Sequence, residues 1–246
     1  MKKINFNKLM KQSKDSLSNF KSLILPNNKI QIDPRISFLE SFKTLRTNVQ
    51  LSDVDKQLKT IAITSSEPLE GKATVIKQLA NAMSLSGSKV LILDCDLRKP
   101  KLHKVFGLDN NIGFTNVLLD NLELNEVYNT VNGMDNLKVI TSGPVHQDPF
   151  ILLNSNEARS LINSLKDKFD IILINTPPVG VVTDAEVLST YVDGIILVVS
   201  YGETKVDTAI KCKSLLKKVN APILGVVFNK VPSEDIKYDS YYFGQE

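Results

Sequence analysis

The sequence predicts an α/β fold: a doubly wound, mostly parallel sheet with helices on both faces. Strand-like apolar runs alternate along the chain with helix-like segments, the order expected of repeated strand–helix–strand units. Most of these runs are continuous rather than alternating with polar residues, as at 171–174 and 195–199, which is typical of strands covered on both faces. Sheets of this kind bind ligands at the carboxyl ends of their strands, so the residues that follow each run are the candidate site residues.

Composition allows one globular domain and argues against several classes of function. With 246 residues, 42% of them hydrophobic, the chain can bury a substantial core. A net charge of +3 and the lack of Trp argue against a nucleic-acid partner. Cys95 and Cys212 form neither a metal motif nor a disulfide pattern, which suits a reducing cytosol. No apolar run approaches the roughly 18 residues of a membrane-spanning helix.

Residues 1–33 are predicted to be a basic N-terminal segment and linker. Residues 1–25 carry six lysines against one acid, and apolar residues such as Phe6 and Leu9 fall near one helical face. This pattern fits a segment that lies on an anionic membrane or on a partner, and equally a solvated terminus. Prolines at 26 and 34 mark the linker.

The globular domain is predicted to span residues 34–232, and its first helix to begin at a capping box. Ser37 and Glu40 have the spacing of such a box, and the helix that it opens ends near Gln50. A strand at 60–64 and a helix at 72–86 follow, and the loop between them contains Gly71 and Lys72.

Strand, Gly-containing loop and helix form the context of a phosphate-binding loop. Backbone N–H groups at the start of the helix attract phosphate oxygens, Gly71 lets the backbone approach closely, and Lys72 adds a full positive charge. The sequence therefore predicts a phosphate-binding site. The predicted loop residues are Ser66, Glu67, Pro68, Leu69, Glu70, Gly71, Lys72, Ala73 and Thr74.

Two further strands, at 89–94 and 169–175, end in polar residues. Asp94 and Asp96 share one side of the first strand if its side chains continue to alternate, so both could face one metal ion or one attacking hydroxyl; a solvated charge cluster is the alternative. Asn175 ends the second strand, either beside the nucleotide site or simply opening a turn before two prolines. Strands at 137–141, 194–200 and 223–229 complete the predicted sheet.

These motifs, with a tail at 233–246 that carries Tyr238, Tyr241 and Tyr242, give the chain a resemblance to the bacterial tyrosine kinases of capsule and exopolysaccharide systems. The resemblance runs from about residue 30 to the end. Its most specific part is the Asp-x-Asp-x-Arg block that begins at Asp94. That block and the tail distinguish the chain from the related partition and septum-placement ATPases, so a partition-type ATPase is the weaker alternative.

The resemblance implies a set of roles. Lys72 would contact the nucleotide phosphates, and Asp94 and Asp96 would serve Mg²⁺ and the acceptor hydroxyl, which makes these three the candidate catalytic residues. The tail tyrosines would be the phosphoacceptors. A transmembrane activator would be the partner, and the chain would lie in the cytoplasm at the inner face of the cell membrane. The residues that would join subunits into a ring are Glu40, Lys43 and Arg46.

Three departures from the family pattern affect this interpretation. Ala73 stands where a hydroxyl would coordinate Mg²⁺, and Asn175 stands where a carboxylate would help to hold it. Lys43 replaces an arginine and cannot form the bidentate fork of a guanidinium. Two functions of different classes therefore stay open: a protein-tyrosine autokinase with impaired catalysis, and a non-catalytic assembly partner in the same kind of system.

Overall fold

The computed structural model describes residues 34–52, 57–120 and 122–232. The predicted basic segment at 1–33 and the tyrosine-bearing tail at 233–246 lie outside the described residues. The strands, in chain order, are β1 (Thr60–Ser65), β2 (Val90–Asp94), β3 (Asn129–Val131), β4 (Met134–Ile140), β5 (Ile171–Asn175), β6 (Gly194–Ser200) and β7 (Ile223–Asn229). The helices are α1 (Pro34–Gln50), α2 (Lys72–Leu85), α3 (Leu102–Phe106), α4 (Phe114–Leu119), α5 (Leu124–Val127), α6 (Pro149–Leu153), α7 (Asn156–Leu165), α8 (Asp184–Ser189) and α9 (Val206–Lys218).

The seven strands form one sheet with the order β3-β4-β2-β5-β1-β6-β7. Every neighbouring pair is parallel except β3 and β4 at one edge. β5 lies between β2 and β1, with Asn175 opposite Asp94 on one side and Ile63 on the other. This register brings the carboxyl ends of the three central strands together, and it confirms the predicted fold class.

Helices cover the sheet on both faces, and successive residues of a central strand enter two different cores. In β2, Leu91 and Leu93 belong to one apolar cluster, whereas Val90 and Ile92 belong to the other, which also receives Val75 from α2. A strand buried on both faces needs apolar side chains at every position. The continuous apolar runs in the sequence have this cause.

The first helix starts earlier than predicted. α1 includes Pro34 and runs to Gln50, so Ser37 lies inside the helix and the predicted capping box is wrong. Proline fits the first turn of a helix because its φ is already helical and its missing N–H would have no partner there. Glu40 instead pairs with Lys43, with 2.6 Å between the carboxylate oxygen and the ammonium nitrogen.

The sequence does not predict strand β3, which has only three residues and pairs antiparallel at the edge of the sheet. Its sequence, Asn-Thr-Val, lacks the apolar run that identified the other strands. Among the described residues, no helix has the length and apolar character needed to cross a membrane.

Candidate nucleotide site at the carboxyl ends of the central strands

The loop between β1 and α2 has the backbone geometry of a phosphate-binding loop. Gly71, immediately before α2, has a φ of 88°, a left-handed conformation that favours glycine. The amides of Thr74 and Val75 donate to the Gly71 carbonyl, each at 3.0 Å. The first amides of a helix have no partner within it, so those of Lys72 and Ala73 remain for a ligand at this end of α2.

Glu70 holds the loop from beneath. Its carboxylate is buried, with the residue 3% exposed, and it accepts from the Glu67 amide at 3.0 Å. It also accepts from the Ser200 amide at 3.5 Å and from the Thr204 hydroxyl. An acid in an anion-binding loop is unexpected from charge alone. Here its hydrogen bonds tie the loop to the end of β6, a role that the sequence interpretation missed.

Asn229, the last residue of β7, closes the loop from a second side. Its side-chain amide donates to the Glu70 carbonyl at 2.8 Å. A Cβ at Gly71 would collide with the Asn229 amide nitrogen, so a larger residue here would have to displace that side chain and its hydrogen bond to the loop. Leu69 has a φ of 66° and is 73% exposed at the rim of the loop. A left-handed leucine carries a strain of order 1–3 kcal/mol, which the sequence interpretation did not consider.

Lys72 lies over the start of the loop, with its ammonium donating to the Ser65 hydroxyl at 3.0 Å. Burial lowers the pKa of Lys72, and the Asp96 carboxylate opposes that shift. A cation that is partly desolvated gains strongly from a phosphate brought beside it.

Asp94 is fully buried and has its hydrogen bonds satisfied by the protein. One carboxylate oxygen accepts from the Asn175 amide at 2.8 Å and from the Asp96 N–H at 3.1 Å. The other accepts from the Leu102 N–H at 3.3 Å. Burial raises the pKa of Asp94 to about 7, and the Asn175 hydrogen bond opposes that rise.

Asp96 is less enclosed, at 8% exposed, and one of its oxygens accepts from the Lys99 N–H at 3.1 Å. Burial raises its pKa, while the Lys99 N–H and the Lys72 ammonium lower it. A carboxylate of raised pKa next to a nucleotide site can accept a proton from an attacking hydroxyl. Two residues later Arg98 forms a two-pronged ion pair with Asp184 of α8, at 2.8 and 2.9 Å.

The donor atoms present here suit a nucleotide better than a divalent ion. No group of three His, Cys, Asp or Glu side chains able to hold a metal occurs within residues 34–52, 57–120 and 122–232. Both Asp94 oxygens already accept hydrogen bonds, and Ala73 packs its methyl group against the apolar cluster under α2. The Asn175 amide oxygen is buried without a hydrogen-bond partner in the described structure. One neutral oxygen does not replace the hydroxyl and carboxylate that the family pattern would offer to Mg²⁺, so the residues present do not fit this ion well.

Comparison with known proteins shows the family. The ParA family model, described as NUBPL iron-transfer P-loop NTPase, matches residues 56–246. Tyrosine-protein kinase YwqD of Bacillus subtilis (strain 168) is 37% identical over 85% of this chain and 88% of its own length. Putative tyrosine-protein kinase CapB of Staphylococcus aureus is 32% identical over 87% of this chain and 93% of its own. The chain belongs to the bacterial tyrosine-protein kinase family.

Solved structures agree with this assignment. The chimerical protein CapA2B2 has a TM-score of 0.76 to this chain at 34% identity, over 79% of this chain and 85% of that one. The septum site-determining protein MinD of Pyrococcus horikoshii OT3, solved with Mg-ADP, has a TM-score of 0.60 at 29% identity, over 74% of this chain and 75% of that one. The tyrosine-kinase fold of this chain is therefore a P-loop NTPase fold, as the resemblance implied.

The structure brings together most of the site residues predicted for a kinase of this family. Lys72, Asp94 and Asp96 lie close enough for their charges to shift one another's pKa values, and Asn175 contacts Asp94 directly. Thr74 is exposed on the first turn of α2. Residues that the sequence interpretation missed are Ser200, Thr204 and Asn229. They come from β6, β7 and the loop after β6, and nothing in their local sequence marks them as partners of a loop 130 to 159 residues earlier.

Proposed function

We propose that this chain binds ATP and ADP in the phosphate loop and acts as a protein-tyrosine autokinase of a capsular or exopolysaccharide system, with slow phosphoryl transfer. The observation that carries the proposal is a well-formed phosphate loop, with Lys72 above it and Asp96 beside it, in a chain whose relatives are tyrosine kinases. Slow transfer follows from the hydroxyl missing at Ala73 and the carboxylate missing at Asn175, because phosphoryl transfer depends mainly on positioning and charge neutralisation.

The chain's own residues have the following parts in the proposed reaction. The loop amides and Lys72 hold the phosphates, and the tyrosine oxygen of an acceptor attacks the terminal phosphorus as the bond to the bridging oxygen breaks and ADP leaves. Asp96 takes the hydroxyl proton. We propose Tyr238, Tyr241 and Tyr242, which lie outside the described residues, as the acceptors.

Removal of the loop cation tests nucleotide binding. Lys72→Met should abolish measurable ADP binding in a calorimetric titration, because it removes the full charge that the loop directs at the phosphates. Lys211→Met, at an exposed position of α9, is the matched control and should bind ADP like the unmodified protein. If the unmodified protein shows no affinity for ADP with or without Mg²⁺, the proposed function is wrong.

A non-catalytic partner of the same kind of system is the second candidate. The hydrogen bond between the Asn175 amide and Asp94 favours it, because it occupies a carboxylate that a kinase would use near the metal. Incubation of the purified protein with ATP and Mg²⁺, followed by quantitation of phosphotyrosine by mass spectrometry, separates the candidates. Slow but real gain of phosphotyrosine supports the kinase, and none after long incubation supports the partner.

We also propose that α1 joins subunits into a ring, through Glu40, Lys43 and Arg46. Two exposed apolar side chains on the same helix, Phe38 and Leu39, support an interface there. Arg46 has a further role within the subunit, since its guanidinium donates to the Ala82 carbonyl of α2 at 3.2 Å. Lys43 pairs only with Glu40 on its own helix among the described residues and is the better position at which to test assembly.

Charge reversal at Lys43 tests the ring. Lys43→Glu should convert a ring-sized species into monomers on size-exclusion chromatography with light scattering. The melting temperature of the monomer should stay nearly constant, because an exposed pair contributes only about 0–1 kcal/mol. Lys211→Glu, an equal charge change on exposed α9, should leave assembly intact. A protein that is monomeric at every concentration, with nucleotide present, would disprove the ring.

The proposed partner is a transmembrane activator, which places the chain in the cytoplasm at the inner face of the membrane. A system of two components is supported by the similarity of this chain to the chimerical protein CapA2B2. The similarity covers 79% of this chain. Sedimentation with membrane vesicles that contain such an activator, and not with bare vesicles, is the test.

A further inference from the structure

The proposed nucleotide site would hold several negative charges, but its phosphate loop supplies only the one cation of Lys72. ATP and ADP bring several negative charges to the loop, and the acids whose charges reach Lys72, which are Asp96, Glu70 and Asp94, add to them. Lys72 is the cation that the loop itself supplies. With the donors for a divalent ion depleted at Ala73 and Asn175, another source of positive charge would strengthen binding.

Residues 95–101 connect β2 to α3 and are fixed against the site at three points. The Cys95 amide donates to the Asn175 carbonyl at 2.9 Å. The Lys99 amide donates to Asp96 at 3.1 Å, and the Leu102 amide donates to Asp94 at 3.3 Å. The backbone of Lys101 therefore lies one peptide unit from the Asp94 carboxylate, at the edge of the phosphate site.

The Lys101 side chain is exposed and available. It makes no cap for α3, and within the described residues its ammonium has no hydrogen bond or ion pair. Its charge nevertheless reaches the loop, since Lys101 is among the groups that lower the pKa of Lys72. Two ammonium groups near one site repel each other, and an anion placed between them relieves that repulsion.

We propose that Lys101 contacts the nucleotide phosphates and supplies part of the positive charge that the depleted metal site does not. This inference rests on the proposed function, because it assigns a further residue to the same nucleotide site. It predicts that this chain retains substantial ADP affinity without any divalent ion, and that Lys101 contributes to that affinity.

The experiment is an ADP titration by calorimetry in the presence of EDTA, with adenosine as a phosphate-free probe. Lys101→Gln should weaken ADP binding about fivefold to tenfold, the loss expected from one partly solvated charge-assisted contact. Adenosine binding should not change, because adenosine has no phosphate. Lys104→Gln is the matched control: it removes the same charge from an exposed position of the adjacent helix α3, and should change ADP affinity less than twofold. Lys101→Arg should restore most of the loss.

Each outcome decides the matter. If the unmodified protein binds ADP and Lys101→Gln binds it equally well, the role of Lys101 is disproved while the proposed function stands. Equal losses in Lys101→Gln and Lys104→Gln would also disprove it, because they would indicate the general field of a basic surface. Absence of ADP binding by the unmodified protein would overturn the proposed function and this inference together. Equal melting temperatures of the variants exclude misfolding as the cause.

Discussion

The double change Ala73→Ser with Asn175→Asp should raise the rate of phosphotyrosine formation in the presence of Mg²⁺ by about a hundredfold or more, the usual size of a lost electrostatic contribution to a transition state. Serine at 73 would return a hydroxyl at the start of α2, and aspartate at 175 would return a carboxylate beside Asp94. Because both act on one ion, the gain should exceed the product of the two single changes.

The structure adds a condition to this expectation. Asn175→Asp replaces the amide that now donates to Asp94 by a second carboxylate, so two like charges would lie side by side in a buried site. In EDTA the variant should therefore melt at a lower temperature than the unmodified protein. Addition of Mg²⁺ with ADP should abolish this difference in melting temperature. Asn163→Asp, at an exposed position of α7, is the control and should show neither effect. An unmodified protein already as active as the double variant would mean that Asp94 and Asp96 hold the metal without help.

Loss of the Arg98 guanidinium should lower the melting temperature of the protein more than a substitution at an exposed position does. Asp184 is fully buried, and Arg98 is its partner through two hydrogen bonds at 2.8 and 2.9 Å. Arg98→Ala would leave a buried carboxylate unpaired, and because the Arg98 side chain is itself 38% exposed and water can partly replace it, the cost in the free energy of unfolding should be about 1–3 kcal/mol. For a domain of this size, each kcal/mol lowers the melting temperature by about 2–4 °C.

Differential scanning calorimetry measures this effect. The double variant Arg98→Met with Asp184→Leu should recover most of the loss, because it removes both charges together. Lys230→Ala, which breaks the exposed pair with Glu203, is the control and should shift the melting temperature by little. A melting temperature unchanged in Arg98→Ala would show that water reaches Asp184 once the arginine is gone.

The central architecture could be predicted because it depends on local pattern. Continuous apolar runs indicate strands that are buried on both faces, and the phosphate loop around Gly71 and Lys72 can be recognised from the sequence alone. The edge strand β3 gave no such signal, because a three-residue strand at an edge needs no apolar run. The sequence predicts too late a start for α1, because Ser37 and Glu40 have the spacing of a capping box although both lie inside a helix that begins at Pro34.

The candidate site was predicted only where its residues follow a strand end. Asp94 and Asn175 were expected near each other because parallel strands end at the same edge, but their direct hydrogen bond depends on the strand order. The support for Glu70 comes from Ser200, Thr204 and Asn229, which are distant in sequence and ordinary in type. Contacts of that kind follow from tertiary packing, which one sequence does not display.

The anchoring of Asn229 to the phosphate loop limits the reach of Tyr238, the first of the proposed acceptors. Asn229 is bound to Glu70 at 2.8 Å, and Tyr238 follows only nine residues later. A fully extended chain spans at most about 3.6 Å per residue, so the Tyr238 backbone stays within roughly 32 Å of Asn229. A substrate on so short a tether has a local concentration of the order of millimolar. A catalyst too slow to modify a dilute free peptide can still modify a tail held at such a concentration, in its own subunit or in a neighbour of the proposed ring.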